Sequence, residues 1–368
     1  MKNILFIYGT RPEAIKLFPL ITEAKKELSS NIFVLCTGQH KSLRELYKIF
    51  DIYPDLSLDL KRDSGSLSEL SSLLIKEIDK VISDFNPDLV FVHGDTSSSF
   101  MGALSAFYNK KDIAHIEAGL RTYNMLSPFP EEANRVFISR IAKYNFCPTR
   151  LSRQNLLNER ITKNKIYIVG NTVIDAVMQI SELIKNNPKI QNDLTSKFNT
   201  LLNFKKIILI TIHRRENWGK NISEILQAFK EMSDRYGDYS FVFSTHPNPN
   251  LQKTVRKYLG DQENIFILEP QNYINFIFLM MSSDMIFTDS GGIQEEATAI
   301  NKKVMVLRES TERPEALETG LVKVIGIKRK SIKDSLSNIS SPMEKITYPF
   351  GKGDAASKII KIIKEDGY

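Results

Sequence analysis

Asn3-Ile4-Leu5-Phe6-Ile7-Tyr8, followed by Gly9-Thr10-Arg11-Pro12, decides how the chain folds. A short, continuous apolar run is what a strand buried on both faces requires, and such strands belong to parallel sheets covered by helices. Gly9-Thr10 ends the run. Pro12 then stands at the start of a helical pattern reaching about residue 28, where its missing N–H costs nothing. Apolar runs at 32–36, 89–93, 113–117 and 166–169 repeat the strand signal, with helical patterns at 98–108, 132–143 and 173–184. A second series opens at 207–212 and continues at 240–244, 265–268, 285–288 and 304–307. Strands alternating with helices predict an α/β protein with parallel sheets wound on both faces, here twice in tandem. The expected domains are 1–170 and 171–353 with a cleft between them as the ligand site, and a last helix at 354–368 packing back on the first domain. The polar segment 185–205, with Asn186-Asn187-Pro188, is a candidate junction.

Composition narrows the function. At 368 residues, 42% hydrophobic and 25% charged, the chain is neither disordered nor a coiled coil. Fifty basic residues against forty-three acidic ones leave +7, spread along the chain. The densest run, Lys328-Arg329-Lys330, has no interleaved aromatics, so nucleic acid is not the expected partner. A basic excess equally suits a phosphate ester. No apolar run approaches the roughly 18 residues of a membrane span, and the N-terminus does not read as a signal peptide. Cys36 and Cys147 are too few for a disulfide framework or a zinc cage. The expected location is the cytoplasm.

Doubly wound sheets bind ligands at the C-terminal ends of their strands, and the unusual residues of this chain fall there. The histidines do so: His40, His93, His115, His213 and His246. His93 and His115, embedded in apolar strand ends, are taken as structural. Thr288-Asp289-Ser290-Gly291-Gly292 is a strand end, a glycine turn and a helix start, a pattern that offers backbone N–H groups to an anion. Glu296, one turn into that helix, can accept from ribose hydroxyls. Ser290 is not a hydrolase nucleophile, because the elbow pattern needs glycine where Thr288 stands. Arg11, Lys16, Arg214 and Arg313 are candidate cations for a phosphate cradle. Asp95, Glu117 and Glu131 are candidate acid–base groups. Helix N-capping is the competing use of Asp95 and Glu131. Glu117, closing an apolar strand, is expected as a buried unpaired charge whose pKa rises. No Walker A loop or zinc motif is present, and the G-x-G-x-x-A at 351–356 reads as a helix entry.

In order along the chain stand Gly9-Thr10-Arg11-Pro12-Glu13-Ala14-Ile15-Lys16, Thr37-Gly38-Gln39-His40, His93-Gly94-Asp95-Thr96 and Glu117-Ala118-Gly119-Leu120-Arg121. Pro130-Glu131-Glu132, Asn134-Arg135, Gly170-Asn171-Thr172, His213-Arg214-Arg215-Glu216-Asn217, Asp289-Ser290-Gly291-Gly292 and Thr311-Glu312-Arg313-Pro314 follow. The series resembles the bacterial non-hydrolysing UDP-N-acetylglucosamine 2-epimerases over essentially the whole chain. That resemblance implies two Rossmann-like domains in the glycosyltransferase-B-like fold, a homodimer, no cofactor, and an isomerase supplying UDP-N-acetylmannosamine for surface polysaccharide. It implies elimination of UDP to 2-acetamidoglucal and re-addition, with Asp95, Glu117, Glu131 and His213 catalytic. It places Arg11, Lys16, Arg135, Gln271, Phe276, Ser290, Gly291, Gly292, Glu296 and Arg313 around the UDP-sugar. Gln39, Arg214 and His246, with Glu131, resemble an activator site for a second substrate molecule. Ser42 and Ser64 replace a glutamine and an arginine of activated relatives, which puts that activation in question. The alternatives are an epimerase of another UDP-2-acetamido sugar, a hydrolysing 2-epimerase, a retaining glycosyltransferase, and a silent UDP-sugar-binding protein.

Overall fold

The computed structural model describes residues 1–38, 43–214, 217, 219–245, 248–260, 262–340 and 346–368. They form two compact units: Met1–Ala176 together with Phe350–Tyr368, and Val177–Pro349.

In the first unit the strands are β1 (Asn3–Tyr8), β2 (Asn31–Cys36), β3 (Leu56–Ser57), β4 (Leu89–His93), β5 (Asp112–Ile116), β6 (Tyr144–Cys147) and β7 (Ile166–Ile168). They lie in the order β3-β2-β1-β4-β5-β6-β7, with parallel pairings. Ile4, Leu5 and Phe6 register against Leu89, Val90 and Phe91. Residues 4–8 and 89–92 have no measurable exposure, as continuous apolar strands covered on both faces must. Phe6 and Phe91 stack there with ring centroids 4.5 Å apart.

The second unit carries β8 (Lys206–Thr211), β9 (Tyr239–Ser244), β10 (Ile265–Leu268), β11 (Met285–Thr288), β12 (Lys303–Val306) and β13 (Val322–Val324). Their order is β10-β9-β8-β11-β12-β13, again parallel. Phe229 meets Phe287 edge-on at 5.2 Å in its core.

Both strand orders reverse beside their first strand, between β1 and β4 and between β8 and β11. Helices leave the sheet toward opposite faces at such a point, which opens a crevice at the strands' carboxyl ends. The topology therefore selects the residues just after β1, β4, β8 and β11.

The chain passes from the first unit to the second inside the helix Thr172–Asn186 and returns between Pro349 and Phe350. The polar stretch at 185–205 lies mostly in two short helices, Pro188–Lys197 and Asn199–Leu202; the Asn187 side chain caps the first by accepting the Ile190 N–H. The helix Ala355–Glu365 belongs to the first unit, where Lys364 Nζ lies 3.5 Å from Glu27 and the Tyr144 hydroxyl bonds Asp366 beyond the helix end. Strands β3, β6 and β13 were not expected from the sequence: they are two to four residues long and Asn145 and Lys323 interrupt the apolar pattern. Among the described residues no helix is long and apolar enough to cross a membrane.

Candidate functional site

The first unit gathers its ionisable groups at its switch point. After β1 the Gly9 and Thr10 N–H groups donate to Glu13 Oε2 at 3.1 and 2.8 Å. Glu13 Oε1 accepts from the Thr96 and Ser99 hydroxyls, each at 2.7 Å. This buried carboxylate thus ties the turn bearing Arg11 and Lys16 to the turn bearing Asp95. Arg11 is half-buried at the first position of the helix Arg11–Glu27.

Asp95 does not cap a helix. Thr96 does, accepting the Ser99 N–H at 3.1 Å. The Asp95 carboxylate instead meets Arg135 at 2.6 Å, and its carbonyl accepts from Asn134 Nδ2 at 2.8 Å. Burial pushes the Asp95 carboxyl up, Arg135 opposes this, and the charges of Glu117 and Glu131 add to the rise while His93 counters it. Three carboxylates therefore share one electrostatic field. Nor does Glu131 cap: it is the first residue of the helix Glu131–Ile141, after Pro130. Its neighbour Glu132 accepts the Thr122 and Tyr123 N–H groups at 3.0 and 2.9 Å and lies 3.5 Å from Arg135, which fastens the loop after Glu117 to this helix.

Glu117 follows β5 in a left-handed conformation, φ 61°, which costs an L-residue roughly 1–2 kcal/mol. The expectation of an unpaired charge is corrected: its carboxylate lies 2.5 Å from Lys16 Nζ and 3.4 Å from Asn171 Nδ2. His93 Nε2 is 3.0 Å away without hydrogen-bond alignment. His93, taken as structural from sequence, thus faces the carboxylate cluster. His115 lies inside β5 rather than at its end; it is fully buried, with Nε2 2.8 Å from the Gly94 carbonyl. Burial pushes its pKa down to about 3 against that bond, and it props the turn before Asp95. Gly119, φ 89°, has no room for a side chain: a Cβ would lie 2.2 Å from the Ser152 carbonyl oxygen.

In the second unit Asp289 follows β11 without exposure and collects donors from the segment after β8. The His213 and Arg214 N–H groups reach it at 3.1 and 3.0 Å, Asn217 Nδ2 at 2.8 Å, and His213 Nδ1 lies 3.1 Å from its Oδ1. Burial raises the Asp289 carboxyl, but the bonds from His213, Asn217 and Arg214 win and hold it below the usual range.

Ser290 is the N-cap of the helix Gly291–Ala299, accepting the Ile293 N–H at 3.5 Å. Where a side chain at Gly291 would project, the nearest atoms, 3.9 to 4.0 Å off, belong to Arg313 and Arg214. Two guanidiniums and a helix N-terminus thus lie at one place, groups that favour an anion. Each cation is held by an acid: Arg214 by Glu312 through two bonds of 3.1 and 3.0 Å, Arg313 by the buried Glu295. Glu296 is half-buried, with Oε1 3.7 Å from the Cβ position of Gly292. Gln271 is tied to its own loop through the Glu269 carbonyl at 2.6 Å and Asn275 at 3.0 Å; Phe276 is half-buried in the helix Tyr273–Ser282. Gln39, His40, Ser42, Arg215, Glu216 and His246 lie outside the described residues. Ser64 donates to Glu69 at 2.7 Å.

Sequence reasoning passed over Glu13, His93 and Asp289. All three stand inside the quoted motifs, but Glu13 and Asp289 work by hydrogen bonding neighbouring turns and His93 faces Glu117 from the adjacent strand, none of which spacing displays.

Known proteins match the whole chain. The family model described as UDP-N-acetylglucosamine 2-epimerase matches residues 22–364. The chain is 43% identical to the UDP-N-acetylglucosamine 2-epimerase of Campylobacter jejuni, over 99% of this chain and 97% of that one. It is 41% identical to the protein of the same name from Neisseria meningitidis serogroup A, over 98% and 99%. The solved Neisseria meningitidis UDP-GlcNAc 2-epimerase bound to UDP-GlcNAc superposes with a TM-score of 0.91 at 41% identity, covering 99% of this chain and 100% of that one. The Methanocaldococcus jannaschii enzyme in complex with UDP-GlcNAc and UDP gives 0.84 at 33% identity, covering 99% and 100%. A Rickettsia africae glycosyltransferase, 16% identical with a TM-score of 0.63, shares the fold alone. The two α/β units have the glycosyltransferase-B-like architecture.

Proposed function

The chain belongs to the UDP-N-acetylglucosamine 2-epimerase family, and from this membership we propose that it interconverts UDP-N-acetylglucosamine and UDP-N-acetylmannosamine by eliminating UDP and adding it back. The C2 hydrogen of this sugar has no carbonyl beside it, so direct deprotonation is slow. Elimination avoids the difficulty: a base takes the C2 proton, the C1–O bond to UDP breaks with its electron pair, and C1 and C2 become doubly bonded. Re-addition returns a proton to the opposite face of C2 as the diphosphate oxygen attacks C1.

The observation that carries this proposal is the carboxylate cluster of the first unit, Asp95 on Arg135, Glu117 on Lys16 with His93 beside it, and Glu131 opening the helix that bears Arg135; a simple sugar transferase has no need of three carboxylates there. Lys16, 2.5 Å from Glu117, favours its ionised form and suits it to accept the proton. Burial favours protonated Asp95 and suits it to give one, with Glu131 completing the set. Such general acid–base steps are each worth roughly 10²–10⁴ in rate. Arg135 holds Asp95 in place. UDP is assigned to Ser290, Gly291, Gly292, Glu296, Arg313, Gln271 and Phe276, with His213, Arg11 and Lys16 receiving the departing diphosphate.

Proton NMR of the enzyme with UDP-N-acetylglucosamine in deuterated water is the test. Formation of UDP-N-acetylmannosamine, with deuterium at C2 of both sugars, is expected. Accumulation of free N-acetylmannosamine with UDP overturns the proposal in favour of hydrolysis; no reaction, with UDP bound, points to another UDP-2-acetamido sugar.

The proposal extends to a cytoplasmic homodimer that supplies surface polysaccharide synthesis. Phe107 and Tyr108 are 51% and 64% exposed at the end of the helix Ser97–Tyr108, and Phe137 is 49% exposed in the helix Glu131–Ile141. The Phe137 ring packs 5.5 Å from Phe100 of the same helix. This apolar face is where a second copy would bind, and Phe107→Glu with Tyr108→Glu is expected to yield monomers in light scattering. Activation by a second substrate molecule would show as sigmoidal kinetics; with Ser42 and Ser64 in place, a hyperbolic curve is expected.

A further inference from the structure

Asp289 is a fully buried carboxylate whose acceptor positions are taken up in an ordered way. Oδ2 receives the Arg214 N–H at 3.0 Å and Asn217 Nδ2 at 2.8 Å, and the His213 N–H lies 3.1 and 3.2 Å from the two oxygens. Oδ1 faces His213 Nδ1 at 3.1 Å. A carboxylate that is ionised only accepts, so the ring nitrogen facing it must carry a proton. The other ring nitrogen, Nε2, is then left for whatever meets the imidazole, whose side chain is 37% exposed. Asp289 itself has no exposure and cannot touch a ligand.

We infer that Asp289 is a positioning residue: it fixes His213 as the Nδ1–H tautomer, turns Nε2 toward the substrate, and by the same carboxylate latches the end of β8 to the end of β11. The catalytic consequence rests on the proposed reaction, in which His213 meets the departing diphosphate; the orientation itself does not.

Asp289→Asn separates the two duties. An asparagine whose oxygen occupies the Oδ2 position keeps the bonds from Arg214, Asn217 and the His213 N–H, so the latch survives. Its amide nitrogen then donates to Nδ1 and drives the imidazole proton to Nε2. Wrong-tautomer replacements of this kind cost several orders of magnitude elsewhere. The expected result is a kcat lowered at least about 100-fold, a KM within a few-fold of wild type, and UDP affinity by calorimetry unchanged.

The readout that a merely structural role would not move is the ring ¹⁵N spectrum of His213, assigned with His213→Gln. Wild type is expected to carry the proton on Nδ1 and the variant on Nε2. Neutral wild-type His213 protonated on Nε2 overturns the inference, whether or not the variant folds. A variant with wild-type kcat, or with the Nδ1 proton retained, also overturns it. Should the wild-type enzyme fail to epimerise, the spectrum still decides the tautomer, so the failure would lie in the proposed reaction alone.

Discussion

Glu117 carries two costs at once, a left-handed backbone and a side chain only 10% exposed. Backbone strain of this kind persists where surrounding structure over-determines it, commonly at functional positions. Glu117→Gln keeps the shape and removes the charge, so turnover is expected to fall between about 10²- and 10⁴-fold, with UDP affinity by calorimetry within a few-fold of wild type. Glu13 is the contrasting case, a carboxylate with structural work. It is 2% exposed and accepts from two backbone N–H groups and two hydroxyls. Glu13→Ala removes the acceptor those four donors share, at a cost on the order of 3 kcal/mol in urea denaturation. Glu117 was legible in the sequence because a charge closing an apolar strand is conspicuous. Glu13 was not, since an acid in the first turn of a helix is ordinary and its partners Thr96 and Ser99 lie more than eighty residues away.

The helix Thr172–Asn186 carries the chain between units, and Asp175 near its start fixes the helix Ala355–Glu365 where the chain returns. Its carboxylate accepts the Ala355 and Ala356 N–H groups at 3.3 and 2.9 Å, a favourable place for negative charge. Burial nevertheless outweighs those bonds and pushes its pKa up to about 6. A carboxyl raised in the folded state contributes stability that is fully present below its unfolded pKa, near 4, and lost as pH rises through about 6. The expected difference is about 3 kcal/mol. Urea melts of wild type and Asp175→Asn are therefore expected to show the variant gaining relative stability from pH 4 to pH 7 by an amount of that order; a constant difference would refute the assignment. Element boundaries were readable where pattern was strong: β10 and β11 lie where their apolar runs do. The two-residue β3 and three-residue β13 were not, because so short a pairing depends on its neighbour strand rather than on its own residues.

At the scale of the molecule, the two sheets repeat one topological device, a reversal of strand order beside the first strand, with different side chains grafted on it. Carboxylates and Lys16 sit at the first reversal, Asp289, His213 and paired arginines at the second. Their proposed duties are correspondingly separable. A ligand present at about 100 times its Kd stabilises its site by about 2.7 kcal/mol. UDP is thus expected to raise the Tm of wild type and Glu117→Gln alike, and to lose that effect in Glu296→Ala and Arg313→Ala; loss in Glu117→Gln instead would contradict the division. The sequence by itself determined the α/β class, the tandem arrangement and the family, because continuous apolar runs and ordered strand-end motifs are local properties of the chain. It also displayed Asp95, Glu117, Glu131, His213 and the Gly291-Gly292 turn. Only the tertiary structure decided their partners. Lys16 on Glu117, Arg135 on Asp95, His93 beside the cluster and Asp289 beneath His213 are contacts between segments about 25 to 100 residues apart. Strand order creates them, and strand order is set by how whole sheets pack, which no run of neighbouring residues encodes.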